Sequence, residues 1–167
     1  MKNLWNPEEA VRCTGELAQR VYTAQLLGRE PSLVLHGGGN TSVKLVEKNI
    51  FGENEDILYV KGSGCDLATI EPEGFAPCRL AHLLRLAKLD ELSDVQMARE
   101  LRASVTNPLA PSPSVETLLH AILPHKFVDH THADAFLAIA NTPRGEERIR
   151  EAFGNRVVIV PYVRSGF

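Results

Sequence analysis

Residues 32–62, SLVLHGGGNTSVKLVEKNIFGENEDILYVKG, commit the chain to a β-sheet with glycine loops at its edges. Short runs of valine, leucine, isoleucine and tyrosine alternate there with polar residues, the period of a strand with one buried face. SLVLHGGGNTSVKLV reads as strand, glycine loop, strand. VEKNIFGENEDILYVKG reads as a hairpin whose turn is GENED. Three consecutive glycines weaken any strand that would run through them, so the chain turns at 37–39 and leaves its amides uncovered. GSGCDLATI, at 62–70, supplies a second loop of this kind.

Helical signals interleave with these strands. Asn6-Pro7-Glu8-Glu9 is a helix start: a capping side chain, proline at the first position, then acids facing the dipole. This helix is expected to reach about Leu27, with Val11, Leu17, Val21 and Leu26 on its buried side, and to break at Gly28. A second helix is expected from about Gly74 to Leu89, and a third after Ser93, where Ser93 and Gln96 form a capping box. TNPLAPSPS carries three prolines and must be an extended loop. Ser114 or its neighbour then caps a helix holding Val115, Leu118, Leu119 and Ile122. FVDHTHADA reads as a strand, ADAFLAIAN and GEERIREAFG as helices, and RVVIVPYV as a buried strand. The alternation favours an α/β fold with helices packed on a sheet. A single domain over 1–167 is expected, and its ending on a strand and loop suggests the N-terminal portion of something longer.

Composition narrows the classes of function. A net charge of −3 offers no basic field for nucleic acid or anionic membrane. No apolar run approaches the roughly 20 residues of a membrane span. Acids and a proline occupy the place of a signal peptide's apolar region. Cys13, Cys65 and Cys78 are odd in number and lack CxxC spacing, which indicates neither a disulfide framework nor a cysteine zinc site. Reduced thiols in the cytoplasm are the simplest expectation.

Three constellations carry chemistry. In a strand, His130 and His132 point to one side, their rings adjacent. They read either as two ligands of a zinc ion or as two partly exposed histidines near a strand end. Asp129 or Asp134 could orient a ring by accepting from it. Glu116 and His120 lie one helical turn apart. Glu116 is a candidate general base, or an acid favoured in a first turn by the helix dipole. His120, His125 and His82 read as structural. Finally, HGGGNTS (36–42) and KGSGCD (61–66), with Asn40, Ser63 and Ser114 as side-chain donors, read as an anion-binding concavity or as tight turns. Neither is a Walker A motif or GxGxxG. No GxSxG elbow accompanies HGGG, so an esterase oxyanion loop is excluded.

In their order along the chain, the GGGN-T-S loop, KGSG, PSVETLLH and VDHTHADA resemble the class II aldolase/adducin family. That family includes zinc-dependent sugar-phosphate aldolases, related epimerases and dehydratases, and non-catalytic adducin head domains. The wording is most similar to the aldolase domain of bacterial rhamnulose-1-phosphate aldolase/alcohol dehydrogenase fusion proteins. The resemblance implies an α/β/α sandwich around a mixed, largely antiparallel sheet, and a homo-oligomer, often a tetramer. It implies zinc held by His130 and His132, Glu116 as catalytic acid/base, and a substrate phosphate held by Gly39, Asn40, Ser63, Gly64 and Ser114. Where some members have a second serine after Ser114, this chain has Val115. The family's third histidine ligand lies downstream of the segment matching VVIVPYV, and no histidine follows His132 here.

Overall fold

The computed structural model describes residues 2–163 and 166–167. The N-terminal helix is broken where a continuous one is expected. Helix α1 (Pro7–Arg12) is capped by Asn6, whose Oδ1 accepts from the Glu8 amide at 2.9 Å. Cys13–Gly15 then interrupt it, and α2 (Glu16–Gly28) starts afresh. Val21 and Ala24 are buried on α2, whereas Val11 on α1 is exposed. Gly28 ends α2 from inside as its last residue.

The hairpin forms from β1 (Asn40–Lys48) and β2 (Asn54–Lys61). Its turn spans 49–53, earlier than GENED, because the Asn49 side chain accepts from both the Phe51 and Glu53 amides and closes the loop itself. Two further strands, β3 (Phe75–Arg79) and β4 (Phe127–His130), complete a sheet in the order β3-β2-β1-β4, with every pairing antiparallel.

Several expectations are corrected. Residues 31–33 form a turn and 34–35 are irregular, so no strand runs there; nevertheless the Leu33 and Ser32 carbonyls accept from the His132 and Asp134 amides at 2.8 and 2.9 Å. The helix expected from Gly74 begins only at Leu80, as α3 (Leu80–Leu86), because 75–79 pair with β2. Pro77 is tolerated there because β3 is an edge strand. Helix α4 (Asp94–Ser104) carries the Ser93–Gln96 capping box. Helix α5 (Thr117–Ile122) buries Leu118 but exposes Leu119 and Ile122, and Val115, expected on the same apolar face, precedes the helix and is exposed. Helices α6 (Asp134–Ala140) and α7 (Gly145–Phe153) pack through stacked Phe136 and Phe153 rings, 4.7 Å apart. The 156–163 segment is no buried strand: Val158 and Tyr162 are over nine-tenths exposed, and no strand among the described residues pairs with it.

Strand alternation gives the sheet two covered faces. On one, Leu58, Val60, Ala76 and Cys78 pack under Leu83, Leu86, Met97, Leu101, Leu118 and Ala121 of α3, α4 and α5. On the other, Phe75 joins Val21 and Ala24 of α2 with Val34, Leu67 and Ile70. Burying a side chain such as Leu83, fully covered here, contributes roughly 1.5–3 kcal/mol. The result is helix layers on both faces of an antiparallel sheet. Among the described residues, no helix is long and apolar enough to cross a membrane. Cys13, Cys65 and Cys78 are all free thiols.

Candidate active site

Glycine loops, proline loop and strand β4 meet where β1 begins. Asn40 opens β1 directly opposite His130 and is fully buried. Its Nδ2 donates to Ser114 Oγ and, at 3.3 Å, to Glu116 Oε2. One amide thereby ties the first glycine loop to the residues that lead into α5.

Glu116 is the N-cap residue of α5 and half-buried, not a freely solvated acid. Burial pushes its carboxyl up. Hydrogen bonds from Ser114, its own backbone and Asn40, together with the nearby His130, outweigh that and hold it below the ordinary carboxylate range. At neutral pH it is therefore ionised.

The loops interlock around this point. Ser63 donates its amide to Ser112 O at 2.9 Å, and Gly62 forms a β-bridge with Pro113. A Cβ at Gly37 would rest in ordinary contact with the Gly64 backbone. Gly39 has φ +65°; a Cβ there would collide with Val34 and lie 2.9 Å from the His130 carbonyl oxygen. Gly64, with φ +78°, sits at the surface beside exposed Ser63, with nothing near its missing Cβ. Of the five candidate phosphate residues, Ser63 and Gly64 are exposed, while Gly39, Asn40 and Ser114 are buried.

The two strand histidines come together, though only His130 belongs to β4. His132 continues the extended path, and the ring centroids stand 4.9 Å apart at 56°. His130 is half-buried, and its Nδ1 is buried without a partner. Burial, then His132, lower its pKa, which favours the neutral imidazole that metal coordination requires. Asp129 does not orient either ring: it pairs with the buried Arg20 at 2.7 Å. His120 is fully buried with Nδ1 2.8 Å from Ser42 Oγ, and burial pushes its pKa down to about 4. His82 bonds Glu100 at 2.9 Å, and His125 offers its carbonyl to Lys44.

The donor set fits a divalent metal in part. Two adjacent imidazoles, one with an orphaned buried nitrogen, lie near a carboxylate. Yet among the described residues no three His, Cys, Asp or Glu side chains lie close enough to hold a metal ion. A cavity of about 580 Å³ opens elsewhere, lined by Trp5, Arg20, Tyr22, Phe127 and Asp129 among others.

One residue at the loops escaped the sequence reading. Lys61, the last residue of β2, is only 2% exposed, and its Nζ donates to Gly37 O at 2.8 Å and Cys65 O at 2.7 Å. A lysine closing the apolar run ILYVK was the signal that could have found it.

A family model for the class II aldolase and adducin N-terminal domain matches residues 18–167. The chain belongs to the class II aldolase and adducin family. It is 45% identical, with a TM-score of 0.90, to a solved N-terminal class II aldolase domain of a conserved protein from Thermoplasma acidophilum. That match covers all of this chain and 76% of the solved one. It is also 40% identical over 167 residues to an uncharacterized oxidoreductase, YuxG, of Bacillus subtilis (strain 168). The chain spans about a quarter of that relative, 24% of its length. Class II aldolases are generally metal-dependent and oligomeric and bind small-molecule substrates.

Proposed function

We propose that this chain is the aldolase-type domain of an enzyme that cleaves a ketose 1-phosphate, similar to rhamnulose 1-phosphate, into dihydroxyacetone phosphate and an aldehyde. The observation that carries this is the Glu116 carboxylate, fixed by Asn40 beside Ser114 while Asn40 faces His130 across the sheet. A proton acceptor held at the edge of glycine-lined loops suits removal and return of a proton at a carbon whose phosphate those loops anchor. His130 and His132 would hold the metal, zinc in this reading, which when bound supplies Lewis acidity to the carbonyl oxygen.

The residues divide the work. Ser63 and Gly64, at the surface, receive the phosphate; Gly39, Asn40 and Ser114 shape the floor below. Anchoring the phosphate sets the distance from the reacting carbons to Glu116. In the cleavage direction the substrate hydroxyl passes its proton, through water, to the Glu116 carboxylate as the C–C bond breaks and the bonding pair moves onto the enediolate carbon. Glu116 then protonates the carbon of the departing enediolate, and takes that proton back in the condensation direction.

A second reading is favoured by one observation, the lack of a third metal-ligand side chain beside His130 and His132 among the described residues. On that reading this is a non-catalytic, adducin-like assembly domain. Epimerase or dehydratase chemistry is a further use of the same scaffold. A panel of sugar phosphates, assayed on the protein with its full metal complement, separates these reactions. Glu116→Gln should abolish aldol cleavage while leaving metal content unchanged. Cleavage at the wild-type rate in that variant would remove Glu116 from the mechanism. Self-association without metal or turnover would establish the assembly role.

A further inference from the structure

We infer that Lys61 is a positioning residue for the anion-binding loops: its buried ammonium clamps the two glycine loops together and sets a fixed positive charge beneath the phosphate subsite. This rests on the proposal above that those loops receive a phosphate.

The geometry is specific. Lys61 Nζ donates to Gly37 O at 2.8 Å, in the first glycine loop, and to Cys65 O at 2.7 Å, in the second. No other residue bonds both loops among the described hydrogen bonds. A Cβ at Gly37 would rest in ordinary contact with Gly64, so the clamp holds the first loop within about a methyl group of the second, which exposes Ser63 and Gly64. Turning a carbonyl toward an ammonium also turns the peptide N–H of the following residue away from it; this directs the Asp66 N–H away from Lys61, while the Gly38 N–H is taken by Leu35 O at 3.0 Å. An ammonium has three donors, and two are used here.

Burying a lysine is costly, and neutral side chains hold loops together with less desolvation. A nonpolar or amide residue would serve a turn that only had to stay closed. A charge makes sense where an anion must be attracted, because it acts across a poorly screened interior as well as through contact. Burial disfavours the charged lysine, and Cys65, Glu116 and Asp66 lie near enough to offset it in part.

Lys44 provides an internal comparison. Its ammonium also serves backbone carbonyls, those of His120, Leu123 and His125, but these lie at the far end of α5, away from both glycine loops.

The test is a titration of inorganic phosphate, followed by ³¹P NMR, on wild-type protein, Lys61→Gln, Lys61→Met and Lys44→Met. Gln keeps a donor within reach of the carbonyls but removes the charge; Met removes both. Phosphate affinity should fall about tenfold or more in both Lys61 variants and change less than about twofold in Lys44→Met. Melting temperatures on the same samples separate loss of fold from loss of binding, and Lys61→Gln carries the decision if Lys61→Met does not fold. Wild-type binding that Lys61→Gln and Lys44→Met share would overturn the inference while leaving the phosphate subsite intact. Absence of phosphate binding by the wild type would overturn the subsite and the inference with it.

Discussion

Gly39 and Gly64 allow one packing contact near the site to be weighed alone. Both have positive φ, +65° and +78°, so alanine at either position adopts a backbone conformation costing roughly 1–2 kcal/mol. Alanine also stiffens the unfolded chain, worth about 0.4–1 kcal/mol in its favour, and this is common to both. The positions differ in space. At Gly64 an added Cβ meets nothing; at Gly39 it collides with Val34 and presses on the His130 carbonyl. Overpacking of that kind costs about 1–3 kcal/mol. Gly39→Ala should therefore be less stable than Gly64→Ala by about 2 kcal/mol. In a chain of this size, that separates their melting temperatures by about 4–8 °C. Thermal and urea unfolding followed by circular dichroism, under matched conditions, measure the gap. Equal losses would show that Val34 and β4 yield freely around residue 39, refuting the rigid contact between the glycine loop and the histidine strand.

Two further outcomes follow from buried charge. His120 is fully buried with its pKa pushed down to about 4, against about 6.5 when unfolded. Its neutral form is favoured in the fold, so the stability it contributes is complete above about 6.5 and is lost as pH falls toward 4. The loss should reach about 3 kcal/mol, and urea midpoints between pH 7 and 4.5 should converge in His120→Asn relative to wild type. An undiminished pH slope in that variant would assign the acid sensitivity elsewhere. The Arg20–Asp129 pair should respond asymmetrically. Arg20 is 1% exposed while the Asp129 side chain is half-exposed, so Asp129→Ala strands a buried cation and should cost about 3–5 kcal/mol. Arg20→Met leaves a carboxylate that water can solvate and should cost markedly less. Equal losses in unfolding free energy would refute that accounting.

Local chemistry made parts of the fold legible in sequence. The Asn6 cap, the Ser93–Gln96 box and the β1–β2 hairpin each depend on residues a few positions apart, and each forms. The side-by-side rings of His130 and His132 follow from strand periodicity, even though regular pairing stops at His130. Elements that depend on distant partners were less legible. FAPCR is short and contains proline; only pairing with β2 makes it a strand. RVVIVPYV has a strong strand composition, but composition supplies no neighbour to bond with. Asn40 shows the same limit at the site. Sequence marked it as a donor in a glycine loop, yet its bonds to Ser114 and Glu116 join residues more than seventy positions away.

Strand β4 is only four residues long and, among the described residues, is hydrogen-bonded along one edge, to β1. It carries His130 and leads directly to His132, whose amide bonds Leu33 O at 2.8 Å, so the candidate metal ligands ride on a short strand with one described sheet partner and a loop contact just beyond its end. Short edge elements open first in local unfolding, well below the free energy of global denaturation. Occupancy and edge closure are therefore the same equilibrium seen from two ends. Anything that grips both imidazoles slows amide exchange along 127–130, by up to about 2.7 kcal/mol of protection at a hundredfold excess over its dissociation constant. Fraying of this edge, conversely, weakens whatever the histidines hold.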